Sequence, residues 1–534
     1  MHATIPNEVV GCYPGHYVDR FGEKPAVIDA DSDRHLTYRE LDLRSQRLAR
    51  VLYDAGLRRG DHLAVLSNND PIVFEIYWAA MRSGLYLTAI NWHLTSAEVA
   101  YIVEDCGAKA LVVSAELADT AESLRTGFDA VSTRLAFRGE VSGFASYESA
   151  LCGASSQPLP DQPRGADMLY SSGTTGRPKG IKTALPQRRV DEPGDPYVEL
   201  FGRVYGFGID TVYLSPAPLY HAAPLRFGGV VQALGGTVVM MQRFDPELAL
   251  AAIERHRVTH GQWVPTMFVR MLKLTADIRD KYDLSSMRVA VHAAAPCPVD
   301  VKHAMIEWWG PILHEYYSST EGNGVTFVDS HEWLQHPGSV GRAAVGTLHV
   351  CDEHGVELPV GEIGSIYFER EERPFEYHGD PEKTKRATHP RHPTWTTTGD
   401  LGYVDDDGFL YLTDRLGFMI ISGGVNIYPQ EIENALALHP RVVDVAVIGV
   451  PDDVMGESVH AVVIPAAGSP PGGELAHELT GFLRLRIAGY KVPRSYSFVD
   501  QLPRTPTGKL AKTHLATSIA GLPTFSSHKD RSAS

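Results

Sequence analysis

A chain of 534 residues exceeds what one compact core usually supports, and 43% hydrophobic with 21% charged residues is ordinary for a soluble globular protein, so two or more domains are expected. The formal net charge of −16, from 65 acidic and 49 basic residues, argues against nonspecific nucleic-acid binding while remaining compatible with a local basic cleft for an anion. Cys12, Cys106, Cys152, Cys297 and Cys351 are odd in number, scattered and without C-x-x-C spacing, which favours neither a disulfide framework nor a zinc site. The N-terminus lacks a basic region followed by an apolar core, and no run approaches the roughly 18 apolar residues of a membrane span. A cytoplasmic protein with no transmembrane segment is expected, peripheral to membranes only if its substrate is a lipid.

Leu36 to Gly56 reads as a helix: Thr37 and Glu40 form a capping-box pattern, Leu41, Leu48, Val51 and Leu52 are helically spaced, and Gly56 closes it. His62 to Leu66 follows as a buried strand. The cycle repeats with a helix over Pro71 to Arg82 and a strand over Leu85 to Ile90. A second capping box, Thr95 with Glu98, precedes a helix to Asp105, and Ala110 to Ser114 supplies the next strand. Strands alternating with helices imply parallel sheets covered on both faces. Farther on, Gln187 to Pro196 reads as a polar surface insertion, Val212 to Leu214 and Thr237 to Met241 as strands, and Gly228 to Leu234 as helix.

Residues 168 to 182, M-L-Y-S-S-G-T-T-G-R-P-K-G-I-K, carry the clearest chemistry. Glycines let backbone N–H groups turn inward, hydroxyls donate hydrogen bonds and Lys179 adds charge, a combination suited to polyphosphate. The common nucleotide loop G-x-x-x-x-G-K-[ST] cannot be laid over it. The string from Ser171 and Ser172 through Gly173, Thr174, Thr175 and Gly176 to Lys179 resembles the phosphate-loop signature of the adenylate-forming superfamily, of the acyl-CoA synthetase type.

Further constellations occur in that family's order. Pro216 to Pro224, containing Tyr220 and His221, resembles the aromatic-histidine segment where the bound carboxylate meets phosphate. Val258 to Thr266 and Met287 to Pro296 resemble segments lining the acyl pocket and the adenine side, so that Trp263 is expected to narrow the pocket while His292 and Ala293 stand at its wall. Glu315-Tyr-Tyr317-Ser-Ser-Thr320-Glu321-Gly322 resembles the Y-G-x-T-E segment, with Ser318 where glycine is commoner; the resemblance implies that Tyr317 stacks on adenine, Thr320 bonds phosphate and Glu321 holds Mg²⁺. A carboxylate accepts bonds from both ribose hydroxyls, which makes Asp400 the natural ribose clamp, with Arg415 expected to reach ribose or phosphate.

Beyond Arg415 lies the expected domain boundary, giving an adenylation domain over 1–415 and a small mobile domain over 416–534. Gly417 stands at the position of the family's hinge residue, and glycine leaves the backbone free to rotate. Ser422 to Glu433, including Gly423 and Gly424, and the Thr-Gly-Lys509 segment complete the resemblance; Lys509 is implied to be the catalytic lysine. The expected fold is α/β: a large N-terminal domain of mixed parallel sheets layered with helices, plus a small mobile α+β C-terminal domain.

The resemblance implies an ATP-dependent acyl-CoA synthetase using ATP, Mg²⁺ and coenzyme A on a carboxylic acid, with catalysis by Lys509, Glu321, Thr320 and His221. A homodimer is common among similar enzymes. An acyl-AMP ligase or stand-alone adenylation enzyme loading a carrier protein would share the nucleotide motifs. A noncatalytic nucleotide-binding scaffold, with Gly417 and Ser318 as signs of decay, is the remaining alternative.

Overall fold

The computed structural model describes residues 11–32, 34–124, 129–171, 178–415, 418–422, 425–452 and 454–504, and then 510, 512, 515, 519 and 522–526. Both capping boxes close as their spacing requires. The Glu40 backbone N–H donates to Thr37 Oγ1 at 3.2 Å while the Thr37 N–H donates to Glu40 Oε2 at 2.9 Å, opening the helix Tyr38–Asp54. Thr95 and Glu98 do the same for Ser96–Asp105. Each box satisfies two N–H groups that a helix start leaves without an internal partner.

An eight-stranded sheet runs in the order Glu376–Tyr377, Lys179–Lys182, Ala166–Ser171, Tyr86–Ile90, His62–Leu66, Ala108–Ser114, Thr133–Phe137, Ala145–Ser146. Its interior pairs are parallel, and the two pairs made by Lys179–Lys182 are antiparallel. A nine-stranded sheet runs Arg342–Val345, Val325–Asp329, Leu313–Ser318, Val289–His292, His260–Trp263, Val212–Ser215, Thr237–Met240, Pro25–Asp29, His35–Thr37, parallel in the middle and antiparallel at its edges.

Between these sheets lies one apolar core. It joins Leu63, Val65 and Leu87 of the first sheet to Tyr213, Val238, Met240 and Val291 of the second through the helices Tyr38–Asp54, Ile72–Met81 and Ala222–Ala233. All ten residues of Ile72–Met81 are buried, in keeping with a sequence apolar except for Glu75, whose carboxylate accepts from Arg44 Nε and the Tyr147 hydroxyl, both at 2.8 Å. Gly228 and Gly229 let Ala222–Ala233 approach it: a Cβ there would lie 2.6 Å from Phe74 and 2.7 Å from the Tyr77 hydroxyl. Ser96–Asp105 covers the outer face of the first sheet, and Pro246–His256, Pro265–Leu272 and Val299–Trp309 cover that of the second.

One reading of the sequence needs correction. The helix expected at Gly228 begins at Ala222, directly after His221, because Pro224 falls in the first turn, where a missing N–H costs nothing. The segment before Pro196 is the polar surface stretch its sequence suggests, and it is tied down at its end: buried Asp195 pairs with Arg164 at 3.2 Å and Arg188 at 2.7 Å and caps the helix Pro196–Tyr205.

A five-stranded sheet built on Thr347–Cys351, Gly364–Glu369, Asp400–Val404 and Leu410–Arg415, with Trp395–Thr396 beside it, follows the large core. After residue 418 a six-stranded sheet carries Val442–Asp452 and Gly456–Pro465 as its longest strands, with helices Pro429–Ala437 and Gly473–Arg484. These bury an apolar cluster of their own, from Ile420 to Tyr496. The architecture is thus mixed α/β, with large N-terminal sheets and helices and a C-terminal part.

Candidate active site

Ser171 and Lys179 are paired across the antiparallel strands Ala166–Ser171 and Lys179–Lys182, which flank the hydroxyl-rich stretch in sequence. Ser172, Gly173, Thr174, Thr175 and Gly176 lie outside the described residues, as do Gly417, Gly423, Gly424 and Lys509, and the side chains of Ser171 and Arg415. Lys179 makes an ion pair with Asp380, whose carboxylate also accepts the Lys383 N–H at 2.9 Å and so caps the helix Pro381–Arg386. The Lys179 ammonium, with that N–H, holds the Asp380 carboxyl below the usual range.

Glu321 sits in the turn after the strand Leu313–Ser318, where Gly322 takes φ +64° and its N–H donates to Ser319 O at 3.1 Å. The Tyr377 hydroxyl donates to Glu321 Oε1 at 2.8 Å. Tyr377 pairs with Ile181, two residues past Lys179, so one strand pairing brings the turn to the end of the phosphate loop. The Lys383 ammonium lies 3.9 Å from the centre of the Tyr377 ring, and burial followed by Lys179 lowers its pKa. Two cations and two carboxylates thus converge around one phenol. With Asp380 engaged by Lys179, Glu321 alone cannot cage a metal; one carboxylate next to Thr320 in sequence fits a hard cation completed by phosphate oxygens and water.

Adjacent tyrosines of one strand point to opposite faces. The Tyr317 hydroxyl donates to Asp400 Oδ2 at 2.7 Å, and the Thr398 hydroxyl donates to the same oxygen at 2.8 Å. On the other face Tyr316 stacks on Phe227, centroids 5.9 Å apart at 23°, and accepts from Gln262 Nε2 at 3.0 Å. Ser318, which departs from the commoner glycine, closes the turn by donating to Gly324 O at 2.8 Å. Gly324 has no room for a side chain, since a Cβ would lie 2.0 Å from the Phe368 ring.

Asn69 fixes the approach to His221. It accepts the Leu219 N–H at 2.8 Å and donates to Ala217 O at 3.1 Å and Met241 O at 2.8 Å. His221 is the N-cap of Ala222–Ala233, its ring 4.5 Å from that of Tyr220, and burial pushes the Tyr220 hydroxyl up to about 12. Trp263 and His292 depart from the expected pocket wall. Trp263 is 1% exposed among Phe244, Phe268 and Trp309, and His292 is 0% exposed, so neither presents surface to a ligand in this conformation. Both belong to the strand ends that the core covers; burial, then Lys302, holds His292 far below its ordinary pKa. Ala293 is also buried, its N–H bonded to Trp263 O at 3.3 Å.

Asn69, Tyr377, Asp380 and Lys383 are site-forming residues that the sequence reading passed over. Asp380-Pro381 carries a helix-start signal, an N-cap followed by proline, but nothing local tells that the capping carboxylate will meet Lys179.

Residues 16–372 match the family of AMP-binding enzymes and residues 431–509 match the AMP-binding enzyme C-terminal domain. A feruloyl-CoA synthase of Amycolatopsis sp is 36% identical over 487 residues, covering 89% of this chain and 92% of that protein. The fatty acid–[acyl-carrier-protein] ligase ScoC of Streptomyces coeruleorubidus is 32% identical over 504 residues, 92% of each chain. ATP-bound MatB from Rhodopseudomonas palustris superposes with a TM-score of 0.78 at 30% identity over 95% of this chain and 98% of that one. With its nucleotide-loop strands, its Thr-Glu turn and its tyrosine-bound aspartate assembled in one chain, the protein belongs to the AMP-binding enzyme family, as an adenylate-forming enzyme of the acyl-CoA synthetase type.

Proposed function

We propose that the protein is an ATP-dependent acyl-CoA synthetase that joins a carboxylic acid to AMP and then passes the acyl group to coenzyme A. The observation that carries this reading is three contacts among four distant segments: Lys179 with Asp380, Tyr377 with Glu321, and Tyr317, four residues before Glu321, with Asp400.

In the first step a carboxylate oxygen attacks the α-phosphorus, the bond to the bridging oxygen breaks and pyrophosphate leaves. Two unit charges 4 Å apart repel by about 4 kcal/mol at an effective dielectric of 20, so cations at the site lower the barrier. Lys179 and the hydroxyls Ser171 to Thr175 would hold the β- and γ-phosphates, Thr320 a phosphate oxygen, and Lys509 the α-phosphate. His221 would orient the acid, with Tyr220 beside it, and Asp400 and Arg415 would hold the ribose while Tyr317 stacks on adenine. Glu321 would hold Mg²⁺, which neutralises phosphate charge when bound. In the second step the thiol sulfur attacks the acyl carbon, the bond to AMP breaks and the thiol proton passes to solvent.

The reading divides the chain at 415/416, with Gly417 as the hinge that withdraws Lys509 and presents Gly423 and Gly424 to coenzyme A. Among the described residues no helix is long and apolar enough to cross a membrane; a cytoplasmic site of action and a homodimer are part of the proposal. Aryl and ring-bearing acids head the substrate panel, given the feruloyl-CoA synthase relative.

Pyrophosphate release with a panel of acids, followed by mass detection of the thioester, tests it. Release that depends on one acid, with coenzyme A consumed, is expected; no release from any acid overturns the enzyme reading. The ScoC relative favours one second reading, transfer to a carrier protein, which would appear as product on the carrier and none on coenzyme A.

A further inference from the structure

Arg226 lies five residues past His221 on the helix Ala222–Ala233 and is largely buried, its side chain 14% exposed. Its Nε and Nη2 donate to Asp167 Oδ2 and Oδ1, both at 2.7 Å, a fork-to-fork pair. The same guanidinium reaches Thr320 O, with Nη2 at 3.4 Å and Nη1 at 3.5 Å, and lies 5.6 Å from the centre of the Tyr197 ring. Asp167 belongs to the strand Ala166–Ser171 that runs into the phosphate loop, and Thr320 immediately precedes Glu321. On the far side of the turn, Arg370 Nη1 donates to Gly322 O at 3.1 Å.

A buried ion pair stabilises a fold little more than apolar residues of similar volume would, so its presence calls for another reason. The reason lies in what it connects. One planar guanidinium touches the helix that follows His221, the strand that leads to the phosphate loop and the carbonyl before Glu321. The peptide group is planar, so holding the Thr320 carbonyl places the Glu321 N and Cα, and the Gly322 anchors, Arg370 on its carbonyl and Ser319 O on its N–H, limit how the Glu321 backbone can turn from there. Lysine could not replace it: a point charge reaches one Asp167 oxygen and has no fork to span to a carbonyl.

We propose that Arg226 is a positioning residue for acyl-adenylate formation, registering the Thr320–Glu321 turn against the phosphate-loop strand. This rests on the synthetase reading above. Its action falls chiefly on the first half-reaction, in which the turn faces a whole triphosphate; the acyl-adenylate keeps a single phosphate, so thioester formation makes a smaller demand on the turn.

The test uses the full chain, wild type and Arg226→Lys, and measures two rates separately: pyrophosphate release from acid and ATP, and thioester formation from synthetic acyl-AMP and coenzyme A. Arg226→Lys is expected to lower the first kcat by ~10- to 100-fold, as angstrom-scale misplacement does, with KM for the acid within ~3-fold. The second rate should stay within ~3-fold of wild type, and the unfolding temperature should be close to it. Adenylation within twofold of wild type overturns the proposal, and so does a parallel fall of both rates with the unfolding temperature. Should Arg226→Lys fail to fold, Asp167→Asn keeps the guanidinium and removes its counter-charge; a selective adenylation loss of ~3- to 10-fold supports the proposal and equal loss of both rates overturns it. A wild-type chain that releases no pyrophosphate with any acid overturns the underlying reading, and this inference with it.

Discussion

Removing one hydroxyl from Tyr317 isolates the link between the adenine and ribose sides of the site. Tyr317→Phe keeps the ring and deletes the 2.7 Å bond to Asp400 Oδ2. A hydrogen bond to a charged group is worth about 1.5–3 kcal/mol. The Thr398 hydroxyl still donates to the same oxygen at 2.8 Å, so Asp400 keeps part of its orientation. About 1 kcal/mol is therefore expected to reach the nucleotide, a rise of roughly fivefold in KM for ATP. Initial rates of pyrophosphate release over a range of ATP concentrations measure it, with kcat expected within about twofold because the ribose is held alike before and during the reaction. An unchanged KM for ATP, or a loss confined to kcat, would refute the idea that Tyr317 acts by aiming the ribose-binding carboxylate.

Lys509→Ala should abolish adenylation and largely spare thioester formation from supplied acyl-AMP; equal loss of both half-reactions contradicts a lysine used only in the first. Burial pushes His62, His260, His314 and His460 each down to about 4, so the folded chain refuses protons that the unfolded chain takes up below about 6.5. Stability should fall as pH drops from about 6.5 toward 4, by about 1 kcal/mol per histidine at pH 5.5, and thermal unfolding at pH 7 and 5.5 checks the sign. Thr95→Ala removes the cap of Ser96–Asp105 and should cost about 1 kcal/mol, seen as earlier urea unfolding with activity unchanged in native buffer.

What could be read ahead of the structure was local. The capping boxes at Thr37 and Thr95 and the strand His62–Leu66 are written in neighbouring residues, where side-chain reach and periodicity act within one or two turns. The nucleotide motifs were legible because each is contiguous. The second partner of each was not: Tyr377 lies 56 positions from Glu321, and Asp380 lies 201 from Lys179. Trp263 and His292 misled for the opposite reason. A residue at a strand end can face a ligand or the covering helices, and only the packing of Phe268 and Trp309 against them decides.

Glu376–Tyr377 is the edge of the eight-stranded sheet, yet the chain supplies it long after every other strand there. During synthesis that margin stays open until the ribosome has passed both large sheets, and under the proposed roles the nucleotide site is complete only once Asp400 has emerged. A truncation at residue 372, where the match to the larger family region ends, would keep most of the apolar interior while discarding Tyr377, Asp380 and Asp400. Under the proposed roles, expression of the large part alone must therefore run past Asp400, or one wall of the nucleotide site is missing.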